Sequence, residues 1–219
     1  MAKKAKKLET KIKKKKWFSL VAPRLFSEQL LGETFIEDPK TLMNRYVTVN
    51  LMGLTGDPKK QSVNVTFKVV NVKDNKGYAE CIAYEMSPSS IKRMVRRNRE
   101  RLDDSFLAKT TDGKTVRIKP IVLTRFNTSN SVTATLRKGI RQLIIKAVAA
   151  SSFEDLLHDI ITNKFQSKLK DTLRPVYPLS SCDIRLLKIV SQQPLTVKEE
   201  PAPVQEEQPV IQEDAKADN

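Results

Sequence analysis

Val63-Asn64-Val65-Thr66-Phe67-Lys68-Val69 sets an apolar side chain at every second position with a polar one between. Only a strand that buries one face produces that alternation, because successive side chains on a strand point to opposite sides. Lys73-Asp74-Asn75-Lys76-Gly77 follows as a turn, and residues 78–86 are rich enough in β-formers to return as the partner strand of a hairpin. Upstream, residues 46–51 alternate in the same way as Tyr-Val-Thr-Val-Asn-Leu. Downstream, residues 106–111 and 115–124 read as a second hairpin joined at Asp112-Gly113, a dipeptide that tolerates positive φ. Pro120 falls inside its return strand and implies an edge or a bulge, since proline cannot donate to the ladder. A final strand is expected over 183–190, after Tyr177-Pro178-Leu179.

Helical spacing appears in three places. Ile91, Met94, Val95 and Leu102 form a stripe behind Ser87-Pro88, where serine can cap and proline fits the first turn. Leu136, Ile140, Leu143, Ile144, Ala147 and Val148 mark a second helix, and Ser151-Ser152-Phe153-Glu154 reads as a capping box opening a third through Leu157, Ile160 and Ile161. Strand pairs interleaved with helices, with neither a regular βαβ rhythm nor an internal repeat, predict an α+β fold. Its sheet is expected to be mostly antiparallel and barrel-like, with three amphipathic helices.

The 219 residues allow one modest core and exclude a large multidomain enzyme. Forty Lys and Arg against 25 Asp and Glu give a net charge of +15, which calls for a polyanionic partner, by default nucleic acid. Residues 1–16 hold nine Lys and one Glu, and residues 191–219 hold two Lys against seven acids, so their nets are +8 and −5. Removing both ends from the total leaves +12 on the middle, so the folded part is itself basic. The organisation expected is a disordered basic arm over 1–16, a single RNA-binding domain over 17–190 and a disordered acidic tail over 191–219. The tail is expected to project from RNA into solvent or toward a basic neighbour; folding back on the protein's own cationic face is the alternative.

Two cysteines, Cys81 and Cys182, build neither a disulfide framework nor a four-ligand zinc site, which suggests a reducing compartment. No window approaches the roughly 18 apolar residues of a membrane span, and Ala2 stands where N-myristoylation needs glycine. A soluble, cytoplasmic protein is expected, without a membrane partner or a small-molecule substrate. His158 shares a helix face with Asp155, Asp159 and Thr162 and reads as a surface residue. Six glycines cannot assemble a phosphate-cradling loop, and Gly53-Leu54-Thr55-Gly56 leaves a strand rather than joining helices as a KH loop does. No catalytic residue, metal ligand or cofactor site is expected, and the chain is read as a non-enzyme.

Lys92, Arg93, Arg96, Arg97, Arg99 and Arg101 crowd one predicted helix over 91–101 with Glu100 as its one acid. Like charges at i,i+4 cost an isolated helix a few tenths of a kcal/mol per pair, roughly, and guanidinium forks match phosphate oxygens. Phosphate contact is the reading; a solvated face is the alternative. Arg137, Lys138 and Arg141, with Lys146, make a weaker basic face on the next helix. Lys13, Lys14, Lys15 and Lys16 lead into Trp17 and Phe18, aromatics that could stack on a base or enter the core. For Trp17, the one tryptophan, the core is the favoured place.

Four motifs carry a family resemblance. Lys-Lys-Lys-Lys-Trp-Phe-Ser-Leu-Val-Ala-Pro-Arg-Leu-Phe (13–26) resembles the N-terminal signature of small-subunit ribosomal proteins shared by archaea and eukaryotes, the "three-A-e" or "one-e" family. Met-Ser-Pro-Ser-Ser-Ile-Lys-Arg-Met-Val-Arg-Arg (86–97), Lys-Thr-Thr-Asp-Gly (109–113) and Tyr177-Pro178-Leu179 are similar to further family motifs in the same order. Asn98-Arg99-Glu100-Arg101 departs from the Trp-containing segment of many relatives, and the acidic C-terminus looks archaeal. The resemblance implies a ribosome-bound structural protein without catalysis, seated on the small-subunit platform near the messenger exit and the 3′ end of the small-subunit ribosomal RNA. It implies contact with neighbouring small-subunit proteins, the eleventh among them. Rival readings are a free RNA-binding translation factor and an RNA-modifying enzyme.

Overall fold

The computed structural model describes residues 15–190, so the expectations of a disordered arm and tail fall largely outside the described residues. The chain runs β1 (Lys16–Val21), β2 (Leu30–Ile36), β3 (Tyr46–Asn50), α1 (Leu51–Thr55), β4 (Val63–Lys73), β5 (Lys76–Met86), α2 (Pro88–Met94), β6 (Arg101–Asp103), β7 (Phe106–Lys109), β8 (Thr115–Thr124), α3 (Asn130–Ala149), α4 (Phe153–Ile161), α5 (Lys164–Leu173) and β9 (Leu179–Ile189).

The β4–β5 hairpin is the spine of one nine-stranded sheet. Asp74 and Asn75 both take positive φ, 48° and 59°, and Lys73 pairs with Lys76, which is the two-residue turn whose twist matches its strands. Gly77 follows for a packing reason: a Cβ there would lie 2.8 Å from Leu20 Cδ2. The free edge of β5 is divided between two partners. Residues 76–78 pair with β1 in parallel, and residues 83–85 pair with β9 antiparallel. β8 lies on the far side of β9 and carries both β7 and β6 on its other edge. The register shifts between Lys119 and Pro120, so the proline occupies a bulge, where its missing N–H disrupts nothing.

The barrel-like expectation is corrected to an open sheet. Closure needs every edge paired, and among the described residues β2 pairs only β1 and β3 only β4. The sheet is antiparallel except for β1 with β5. Among the described residues there are five α-helices rather than three. α1 is a single turn capped by Asn50, whose Oδ1 accepts from Met52 N at 2.9 Å, and Gly56 ends it in the left-handed region at φ 72°. α5 buries Phe165, Leu169 and Leu173 at a four-residue spacing and is set off from α4 by Asn163 at φ 60°. α4 is capped by Ser152 with Asp155, not Glu154, as the reciprocal partner, their side chains 2.7 Å apart. Asp112, in the β7–β8 turn, adds a second acceptor to that helix start, taking Phe153 N at 2.9 Å.

The inward positions of the sheet, among them Phe18, Leu20, Val65, Phe67, Val69 and Leu187, join Leu136, Ile140, Ile144, Leu157 and Ile160 of the helices in one core. Each such side chain contributes roughly 1.5–3 kcal/mol through its removal from water. α5 packs on β9, α3 on β7 and α4 on α5, which leaves the other face of the β1–β5 region to solvent.

Candidate nucleic-acid interface

The predicted helix over 91–101 is corrected. α2 is capped by Ser87, opens on Pro88 and stops at Met94, with Val95 in extended conformation and Asn98 left-handed at φ 60°. Continuing it would have stacked Lys92 under Arg96 and Arg93 under Arg97, and β-branched Val95 gives little helical compensation. Leu102 is buried from strand β6 instead of from a helix face. This break sorts the six cations. Arg101 forks onto Asp103, and its charge is held more firmly by that hydrogen bond, while Arg99 Nη1 donates to Ser180 Oγ at 2.8 Å. Lys92, Arg93, Arg96 and Arg97 remain exposed, with no acid in ion-pair distance among the described residues. Arg93 also lines a groove of about 430 Å³ with Lys59, Ser62, Ser87 and Ser90, where hydroxyls and cations offer donors together.

Arg137, Lys138 and Arg141 stand exposed on α3 and line a smaller groove of about 210 Å³. Arg137 spends part of its charge on Asp104, 3.7 Å away. Lys15 and Lys16 are exposed at the start of β1, while Lys13 and Lys14 lie outside the described residues. Trp17 overturns the core expectation: it is 63% exposed and lies against Phe35 of β2, because Phe18 and Leu20 take the inward positions of that strand. The structure thus offers three separate basic regions, at α2, at α3 and at the start of β1.

A fourth lies on the outward face of the sheet, and the sequence reading missed it. Lys68, Arg117 and Lys188 come from β4, β8 and β9, and with Lys114, Tyr46 and Glu80 they rim a groove of about 570 Å³ floored by Val70 and Ile82. The polar half of each strand's alternation was the available signal, but strand order alone brings those halves together.

Burial pushes both the Cys81 and Cys182 thiols up to about 12, so they remain protonated at neutral pH, and neither is in a disulfide. His158 is exposed on α4, as expected. Gly53 and Gly56 belong to α1 and its cap, which accounts for that motif without RNA. No group of three or more potential metal ligands gathers among the described residues, and no helix there is long and apolar enough to cross a membrane.

The family model described as the Ribosomal S3Ae family matches residues 3–193. The chain belongs to the Ribosomal S3Ae family. The resemblance carried by its four motifs is therefore borne out, and the matched span takes in every candidate cation as well as Trp17. Among S3Ae relatives, small ribosomal subunit protein eS1 of Saccharolobus islandicus is 28% identical over 190 residues, covering 87% of this chain and 91% of the relative. The eS1 of Halorubrum lacusprofundi is 30% identical over 175 residues, covering 80% and 81%. That of Methanothermobacter thermautotrophicus is 27% identical over 180 residues, covering 82% and 92%. All three sources are archaea.

Proposed function

We propose that this chain is a structural, non-catalytic constituent of the small ribosomal subunit that holds small-subunit ribosomal RNA. Its seat would be the platform near the messenger exit, ribosome-bound in the cytoplasm, beside neighbouring small-subunit proteins such as the eleventh. The observation that carries RNA binding is the cluster Lys92, Arg93, Arg96 and Arg97, exposed and without an acid partner among the described residues, in a chain whose relatives are named small-subunit proteins. Unpaired cations gathered on a surface are stabilised by phosphates, and each phosphate contact releases counterions, which drives association. Arg99 ties the 95–100 segment to Ser180, and Arg101 is engaged with Asp103 within β6, so both belong to the protein's own structure. The second basic face, Arg137, Lys138 and Arg141, and the Lys-rich start of the chain supply further phosphate contacts.

Sedimentation of a lysate through a sucrose gradient tests the assignment. The chain is expected to travel with the small subunit in moderate salt. A free translation factor with the same charges would be stripped to the top of the gradient, and that result would overturn the ribosomal reading. A triple change of Arg93, Arg96 and Arg97 to Gln should lower affinity for small-subunit RNA. Loss of three phosphate contacts would reduce the slope of log affinity against log salt by about 2–3. An unchanged slope would remove the α2 region from the interface.

A further inference from the structure

We propose that the outward face of the β1–β2 ribbon is a stacking platform for unpaired nucleobases, with Trp17 and Phe35 as its two rings; this deepens the RNA-binding reading and rests on it. The two residues are direct cross-strand partners, so both rings stand on the same side of the ribbon. Their centroids are 5.0 Å apart with planes tilted by 40°, and they are 63% and 50% exposed. Nothing inside the fold requires aromatics here. The ribbon's contribution to the core comes from the alternate positions, where Phe18 and Leu20 are buried.

The surroundings select the occupant. Lys15 is exposed two residues before Trp17, Lys16 is exposed at the strand's start on the Phe18 side, and Lys76 lies across from Ser19, two residues further along β1. Tyr78, opposite Val21, adds a third half-exposed ring on β5. Glu33, opposite Ser19, and Glu37, exposed two residues beyond Phe35, are acids at the two ends of this patch, and the lysines carry its positive charge. A ligand that presents flat π faces and negative charge at once is a nucleic acid with its bases unstacked; a duplex offers its phosphates but keeps its base faces covered. An apolar protein surface would cover the rings but would leave the lysines without anions. The platform therefore takes a single-stranded stretch of RNA, whereas the cations around α2 read phosphates alone.

Trp17 is the one tryptophan in the chain, so its fluorescence reports on this place directly. The full-length protein is titrated with a short single-stranded oligoribonucleotide, with a duplex of equal charge and with inorganic polyphosphate. Single-stranded RNA is expected to quench the emission strongly at saturation, while duplex and polyphosphate bind without comparable quenching. Phe35→Ala, which keeps the fluorophore, and Trp17→Ala should each weaken single-strand binding by about tenfold, with polyphosphate binding unchanged. Trp17→Phe should restore most of the affinity. Both sites are on the surface, and circular dichroism checks that the variants stay folded. Saturable RNA binding with unquenched emission, or unaltered single-strand affinity in both alanine variants, would overturn the platform and leave the RNA-binding reading standing. Failure of the native protein to bind any RNA would remove both.

Discussion

Asp183 stands partly buried on β9 at a groove shared with Tyr84, Lys60 and Asn163, and burial pushes its carboxyl above the ordinary carboxylate range, with Lys170 pulling the other way. The native state therefore keeps this proton to a higher pH than the unfolded chain does. Its contribution to stability is consequently lost as pH rises from about 4 through the native pKa. Asp183→Asn is expected to raise the urea midpoint at pH 7 and to lose that advantage near pH 3, where both states are protonated; an advantage independent of pH would show that desolvation is not the cause. The cysteines give a second check. With both thiols buried and driven to about 12, an aromatic disulfide reagent should react with native protein only at the rate of opening, and with both thiols at once in urea. Trp17 is the opposite case, a large apolar residue whose place the side chain alone does not decide, since either parity of β1 could have faced the core.

Gly77 and Asp112 show how single positions join one element to another. An alanine at 77 meets Leu20 Cδ2 at 2.8 Å and Leu42 Cδ2 at 3.1 Å, so Gly77→Ala should cost about 1–3 kcal/mol by overpacking where β1 lies along β5. Leu20→Ala in the same chain should recover part of that loss, because it removes the clashing methyls; two fully additive penalties would locate the strain elsewhere. Asp112→Ala removes the acceptor for Phe153 N and should cost about 1 kcal/mol, the usual worth of a helix cap, measured as a shift in urea midpoint. α2 illustrates the limit of periodicity. Ile91, Met94, Val95 and Leu102 fit a helical stripe, yet only Ile91 and Met94 pack from the helix, and Leu102 reaches the core from a strand. The match to a helical stripe was fortuitous: Ile91 and Met94 pack with Met86 and Ile121, whereas Leu102 joins the main core from an extended segment.

At the scale of the molecule, sheet and helices share one core, so they are expected to unfold together. Leu187→Ala, at a fully buried position of β9, should destabilise by about 2–5 kcal/mol. It should shift far-ultraviolet circular dichroism and thiol exposure by the same amount. Separated transitions would instead divide the fold. The same architecture governs function: the helices cover the inner face, so the outward face of β1, β4, β5, β8 and β9 is free to carry cations and rings gathered from distant parts of the chain.

The features legible in the amino-acid order are local. The alternation from Val63 to Val69, the Asp74-Asn75 turn, the Ser87-Pro88 helix start and the basic balance all follow from neighbours within a few residues, and the four motifs were enough to place the family. The hairpins and the exposed cations of α2 and α3 were legible for that reason. Which strand parity faces inward, and with it the meeting of Trp17 and Phe35 in the open, is set by the packed fold. The fold also decided that Arg99 is spent on Ser180, that the sheet stays open, and that Lys68, Arg117 and Lys188 share one groove. Each of these depends on pairings between residues far apart in the chain, and the free energy that selects them lies in the shared core, which no local window contains.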